Sequence, residues 1–266
     1  MSKAVLAWLG LLFVAMGGTF LWLGVKYSLS AATVISTRSE RDKEYQLPPL
    51  SAGDAYLTGY TLTERNGRKL GTKELAGKVY VTNFFFSTCP AECLRQSQTL
   101  ESIQRDYGPK GVQFVSITCD PDIDTPAQLS AYADKHFKIK DDSWWFLTGD
   151  MKYIERIAGE FYEVYLKKQK HTERFEVRDK WGNPRGSYEW KDPKSLTELK
   201  LKLNSLLAET EPPADVKAAA EERAAMIERA NAGADKVEEL DRHAPPNRRT
   251  GPLPETPQEP GAAEPN

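Results

Sequence analysis

The apolar positions of the chain fall into blocks of distinct period. The first is a single uncharged run from Ala4 to Val25, AVLAWLGLLFVAMGGTFLWLGV, closed by Lys3 on one side and Lys26 on the other. At 1.5 Å per residue it spans roughly the ~30 Å hydrocarbon core of a bilayer, with Trp8, Trp22 and Tyr27 placed for the two interfaces. The alternative is a cleaved secretory signal ending at Ser28-Leu29-Ser30, but a signal's apolar region is shorter than this run. Either reading exports the remainder of the chain.

Between about 55 and 207 strand-like and helix-like patterns alternate. Val79 to Phe86 (VYVTNFFF) is almost continuously apolar, as expected of a central strand buried on both faces. A helix is predicted from Cys89 to Tyr107, with Leu100, Ile103 and Tyr107 on one face. Val112 to Cys119 (VQFVSITC) predicts a second buried strand. Thr125-Pro126-Ala127-Gln128 has the form of a capping box with proline at the first helical position. A short strand at Trp145 to Leu147 and a short helix from Met151 to Gly159 come next. Asn66-Gly67 and Gly182-Asn183-Pro184 each sit between strand-like segments and read as hairpin turns. Asp192-Pro193 starts a last helix whose Leu196, Leu199, Leu203, Leu206 and Leu207 form a stripe. This order predicts an α/β layer architecture with a partly parallel sheet, consistent with a thioredoxin-like fold.

The pattern changes again from Glu209. Asp215 to Arg242 is Ala- and Glu-rich and helical in character, with a sparse apolar face of Met226, Ile227, Val237 and Leu240, which suits a solvated or loosely docked helix. Nine of the 17 prolines come after Glu209, and disorder is expected beyond Pro245. The chain thus divides into a transmembrane anchor (1–26), a juxtamembrane linker (27–54), one α/β domain (55–208) and a helix with a Pro-rich disordered tail (209–266).

Charge narrows the function classes. Lys+Arg 36 against Asp+Glu 38 leaves a net charge of -2, so nothing draws the chain to nucleic acid. Three cysteines and three histidines are too few for a disulfide-stapled scaffold or a four-cysteine zinc module. Cys89-Pro90-Ala91-Glu92-Cys93 is a C-x3-C at the junction of predicted strand and helix. Two cysteines one turn apart share a helix face, where they can close a disulfide or grip one ion. The helix N-terminus favours thiolate over thiol, and paired thiolates suit Cu(I). Buried core cysteines are the plain alternative, but the polar flanks Ser87-Thr88 and Pro90-Ala91-Glu92 do not resemble a helix interior. Cys119 reads first as a core residue; its place at the end of a parallel strand also sets it at the edge where such sheets gather ligands.

The segments GKVYVTNFFFSTCPAEC, FVSITCDPDIDTP, WWFLTG, FYEVYL and His171-Thr172, in that order, resemble the SCO/SenC family. Those are membrane-anchored, thioredoxin-like copper proteins that assist assembly of the copper centre of cytochrome c oxidase. The resemblance covers about residues 55–207 and implies copper held by Cys89, Cys93 and His171. By its own neighbours, KKQKHTER, His171 is a solvated loop residue; only the resemblance makes it a ligand. His136 and His243 show no such placement and are expected to be solvated. Two positions depart from the family pattern. Lys170 stands where an acidic residue usually precedes the histidine, and Leu94 where proline commonly follows the second cysteine. A cation beside the site disfavours Cu(II) and the imidazolium.

The resemblance implies a metallochaperone that delivers copper to an oxidase subunit or to another copper chaperone. The apolar run starting at residue 4 leaves no room for an organelle transit peptide, so a bacterial inner membrane is expected, with the domain on the periplasmic side. The alternative is a thiol–disulfide oxidoreductase with Cys89 and Cys93 as the redox pair. His171 separates the two, because copper binding needs it and dithiol exchange does not.

Overall fold

The computed structural model describes residues 55–243 except Pro90 and Lys140, with side chains to Gly233. The uncharged run at 4–25, the linker to residue 54 and the Pro-rich tail lie outside the described residues. Among the described residues no helix is long and apolar enough to cross a membrane.

In chain order the elements are β1 (Thr61–Glu64), β2 (Lys69–Gly71), β3 (Tyr80–Phe85), α1 (Glu92–Tyr107), β4 (Gln113–Thr118), α2 (Pro126–His136), β5 (Trp144–Thr148) and α3 (Met151–Arg156). After them come β6 (Leu166–Lys167), β7 (Lys170–His171), β8 (Arg174–Arg178), β9 (Pro184–Glu189), α4 (Pro193–Ala208) and α5 (Ala214–His243). Seven strands form one mixed sheet in the order β2-β1-β5-β4-β3-β8-β9, while β6 and β7 form a separate hairpin. The centre is parallel, β3 to β4 with Phe85 opposite Thr118 and β4 to β5 with Phe114 opposite Trp144. The antiparallel strand β8 joins β3 with Tyr80 opposite Arg178.

Side chains alternate across this sheet with period two. Val81 and Phe85, Phe114, and Trp144 and Phe146 face one layer, where Leu100 and Ile103 of α1, Leu129 and Tyr132 of α2 and Leu199, Leu203 and Leu206 of α4 cover them. Tyr80, Phe84, Val115, Ile117, Trp145 and Leu147 face the other, under Ile154 of α3 and Ile157, Tyr162 and Leu166 beyond it. Each of the fully buried rings of Phe84, Phe85, Phe114 and Phe146 contributes about 1.5–3 kcal/mol by leaving water.

The expected turns and caps form. Gly67 takes φ +88° in the β1–β2 hairpin, which glycine adopts without strain. The Thr125 hydroxyl accepts from Gln128 N at 3.3 Å, so only the threonine half of the predicted capping box is made. Asp192 caps α4 through Lys194 N and Ser195 N, and Lys180 Nζ donates to the carbonyls of Leu207 and Glu209 at its far end. The helix predicted to start at Cys89 starts at Glu92. The one predicted over Met151 to Gly159 becomes α3 and a π-helical turn, Ile157–Phe161. Helix α5 is more than a solvated appendage. Val216 and Ile227 are buried, while Met226 stays exposed. Arg223 pairs with Glu163 and donates to Glu160 O, and Asn231 exchanges hydrogen bonds with the backbone of Tyr56.

One buried carboxyl makes stability depend on pH. Glu176 lies on β8 opposite Thr82 and Ser187. Burial raises its pKa from 4.5 to about 7, although the Ser187 hydrogen bond, Arg178 and Arg174 oppose the shift. The unfolded chain therefore releases this proton near 4.5 and the folded chain only near 7. Stability is fully present below the lower value and falls as pH rises through the upper one, by about 3 kcal/mol. Glu176→Gln is expected to raise the melting temperature at pH 8 and leave it nearly unchanged at pH 4, as calorimetry at the two pH values would show.

Candidate metal centre

The C-terminal ends of β3 and β4 carry two loops to the same sheet edge. Cys119 N donates to Phe85 O at 2.8 Å and fastens the two strand ends together. Asp124 then locks the loops. Its carboxylate accepts from Ser87 N at 3.0 Å, from Thr118 Oγ1 at 2.5 Å and from the Ser87 hydroxyl. The segment leading to Cys89 is therefore held by a fully buried carboxylate on the neighbouring loop.

Cys89 precedes α1 and Cys93 is its second residue. Cys93 N donates to Cys89 Sγ at 3.3 Å, so the sulfur occupies the place of an N-cap acceptor. Cys89 is half-buried and Cys93 is 3% exposed. Burial pushes the Cys93 thiol well up, with the hydrogen bond to Cys89 adding to the effect. Desolvation thus opposes the helix-end dipole there, so the thiolate that the sequence favours costs more to form at Cys93 until a cation compensates it.

His171 arrives on β7. Its hairpin pairs Leu166 with His171 and turns at Lys168-Gln169, with Gln169 at φ +57°. The hairpin is pinned to the Cys119 loop by Gln169 N donating to Cys119 O at 3.1 Å and Gln169 Nε2 to Asp120 Oδ2 at 2.7 Å. Lys168 adds an ion pair to Asp122 at 2.6 Å. So placed, His171 is half-buried rather than solvated, edge-on to Phe86 with ring centroids 6.1 Å apart. Its Nε2 lies 3.3 Å from Cys93 Sγ.

The ring's tautomer is set by its other nitrogen. Nδ1 is 2.9 Å from Thr172 O, and a carbonyl only accepts, so Nδ1 carries the proton and Nε2 presents a lone pair to the sulfur. Burial lowers the His171 pKa, with Thr172 O and Glu173 opposing, which keeps the ring neutral and able to donate to a metal. A carbonyl on the distal N–H is also the usual second partner of a metal-bound histidine.

The structure thus brings Cys89, Cys93 and His171 together in a chain of two 3.3 Å contacts. Among the described residues no group of three or more His, Cys, Asp or Glu side chains stands as a ready-made metal cage. The donor chemistry fits a soft ion: two sulfurs, one neutral imidazole and no carboxylate ligand. His136 stays away, packed against Tyr132 at 5.0 Å rather than solvated, and the side chain of His243 lies outside the described residues. Lys170 is exposed beside the site, and Leu94 packs against the core.

Cys119 belongs to the opposite layer. It is 0% exposed among Val115, Ile117 and Tyr162, and burial pushes its thiol up to about 12. A sulfur held that way packs as an apolar atom. Cys119→Ser is expected to leave any metal stoichiometry unchanged while lowering stability by about 1–3 kcal/mol, measured by metal analysis and denaturant unfolding.

Residues 49–188 match the model of the SCO1/SenC family. The chain belongs to that family. Among its relatives is a SCO1 protein homolog of Bacillus subtilis, 27% identical over 112 residues, 41% of this chain and 58% of the relative. A protein of Stutzerimonas stutzeri that carries copper-binding in its name is 30% identical over 103 residues, 36% of this chain and 47% of its own. The chain spans about half the length of such curated relatives. The crystal structure of a SCO1/SenC family lipoprotein from Bacillus anthracis superposes with TM-score 0.52 at 26% identity, covering 57% of this chain and 95% of the other. The matched region ends at Tyr188, so α4 and α5 lie outside it.

The residues that sequence reasoning missed are those that hold the two loops and the hairpin together: Asp124, bonded to Ser87 and Thr118, and Gln169, bonded to Cys119 and Asp120, stand in polar segments that carry no signal of it.

Proposed function

We propose that this domain binds one copper ion as Cu(I), through the thiolates of Cys89 and Cys93 and Nε2 of His171. It passes the ion to a copper-accepting cytochrome c oxidase subunit or to another copper chaperone. The observation that carries the reading is the 3.3 Å approach of His171 Nε2 to Cys93 Sγ, with its lone pair freed by the Nδ1–H bond to Thr172 O. Copper needs that imidazole as a third donor, whereas in dithiol exchange it serves only to take a proton from the Cys93 thiol. Two thiolates and one imidazole saturate a low-coordinate soft ion without carboxylates, and the donors sit on two segments that can separate for transfer. The copper-binding relative and the family's role in oxidase assembly support the same reading. The uncharged run at 4–25 is proposed as the membrane anchor that holds the domain on the periplasmic side of a bacterial inner membrane.

A second reading rests on the 3.3 Å contact of Cys93 N with Cys89 Sγ, which keeps the two cysteines side by side. Here the pair reduces a partner's disulfide and itself becomes the Cys89–Cys93 disulfide, two electrons and two protons passing to the partner's thiols.

Anaerobic titration of the reduced full chain with Cu(I) against a competing chelator separates the two. The copper reading expects one tight ion per chain and a loss of about 10–100-fold or more in affinity in His171→Ala, since even outer-shell changes reach that size. Absence of tight binding, with partner-disulfide reduction that needs both Cys89 and Cys93 and persists in His171→Ala, would select the dithiol reading.

A further inference from the structure

The hairpin that carries His171 is not part of the seven-stranded sheet. Its turn end is tied to the Cys119 loop through Gln169 and Lys168, but the Cys93–His171 contact lies at its other end. A third element reaches both segments there. Lys191 lies between β9 and α4. Its Nζ pairs with Glu173 Oε2 at 2.7 Å and with Glu92 Oε1. Glu92 stands between the two cysteines as the first residue of α1, and Glu173 is two residues past His171. The other oxygen of Glu92 pairs with Arg95 at 3.0 Å.

We propose that Lys191 is a positioning residue that holds the His171 imidazole over Cys93 Sγ by tethering segment 171–173 to the N-terminus of α1. Its effect on copper rests on the proposed three-donor site; its effect on the metal-free protein rests on the Cys93–His171 contact alone. Each exposed ion pair is weak by itself and screened by salt. Two pairs sharing one ammonium act on geometry, because they join the segments that bear the donors.

The test is the rate at which iodoacetamide labels each cysteine of the metal-free, reduced full chain, resolved by peptide mass spectrometry. Lys191→Met is expected to speed Cys93 labelling about three- to tenfold, the range two exposed pairs sustain, with Cys119 still protected. Lys191→Arg should remain near the parent rate, and about 0.5 M salt should bring the parent toward Lys191→Met. His171→Ala should speed Cys93 labelling as well, and adding Lys191→Met to it should change nothing further.

An unchanged Cys93 rate in Lys191→Met would overturn the proposal. So would full multiplication of the two effects, or Cys119 becoming labelled in step, which would mean general loosening. Cu(I) release from Lys191→Met to a chelator should quicken by a similar factor. A parent chain that binds no tight copper would remove the copper function, while the labelling rates would still decide whether Lys191 positions His171.

Discussion

Cys93→Ser is expected to abolish tight Cu(I) binding, a larger effect than the roughly 10–100-fold caused by loss of a hydrogen-bond partner behind a ligand. The change removes a soft donor and installs a hydroxyl that has little affinity for a soft ion. The backbone N–H contact of residue 93 with Cys89 Sγ survives the change, so what is lost is the sulfur that stands 3.3 Å from His171 Nε2. The fold should survive. A serine hydroxyl at this 3% exposed position can donate to His171 Nε2, so the cost stays within the ~1–3 kcal/mol of an imperfectly satisfied buried polar group. Chelator competition reports the affinity and circular dichroism the fold. Retention of near-parent affinity in a folded Cys93→Ser chain would move the metal elsewhere.

The largest expected loss of stability is at Phe85→Ala. The ring is 0% exposed, 5.6 Å from Tyr132 and 5.8 Å from Phe146 between centroids. It belongs to the same cluster as Cys93. Truncation removes a buried aromatic and leaves a cavity walled by rigid strands and two helices, at a cost of about 3–5 kcal/mol. For a domain of this size that lowers the melting temperature by roughly 6–20 °C. Because Phe85 is the last residue of β3, the cavity opens under the start of α1, so Cys93 should lose protection from alkylating reagents as well. Calorimetry and thiol labelling read the two effects separately.

The sheet was legible because its central strands are buried on both faces, and VYVTNFFF and VQFVSITC carry that burial as continuous apolar runs. Helix α4 was legible from its leucine spacing. What escaped notice has physical reasons. Strands β6 and β7 have two residues each, too few for any period, and their polar sequence KKQK looks like a loop. They hold their place through contacts distant in sequence, such as Gln169 with Asp120, 49 residues away. The burial of Cys93 escaped for a related reason. Position at a helix start can be read from the chain, but the depth at which that start lies comes from the core cluster that Cys93 shares with Phe85 and Tyr132. The docking of α5 was likewise hidden, since Arg223 and Asn231 are ordinary helix-surface residues until Glu163 and Tyr56 are brought beside them.

Among the three proposed donors, Cys89 and Cys93 stood out from their spacing, whereas His171 was a ligand only by family resemblance. The geometry adds a separate support, since the hairpin and the Thr172 hydrogen bond direct Nε2 at Cys93 and burial favours the neutral ring.

The central claim is that one copper ion takes two sulfurs and that one nitrogen. X-ray absorption at the copper edge, on the Cu(I)-loaded full chain and on His171→Ala, tests it most directly. The parent should show a three-coordinate Cu(I) with two sulfur scatterers and one imidazole nitrogen, and His171→Ala should lose the nitrogen while keeping the sulfurs. An all-sulfur shell in the parent, or an imidazole signal that survives His171→Ala, would contradict the account.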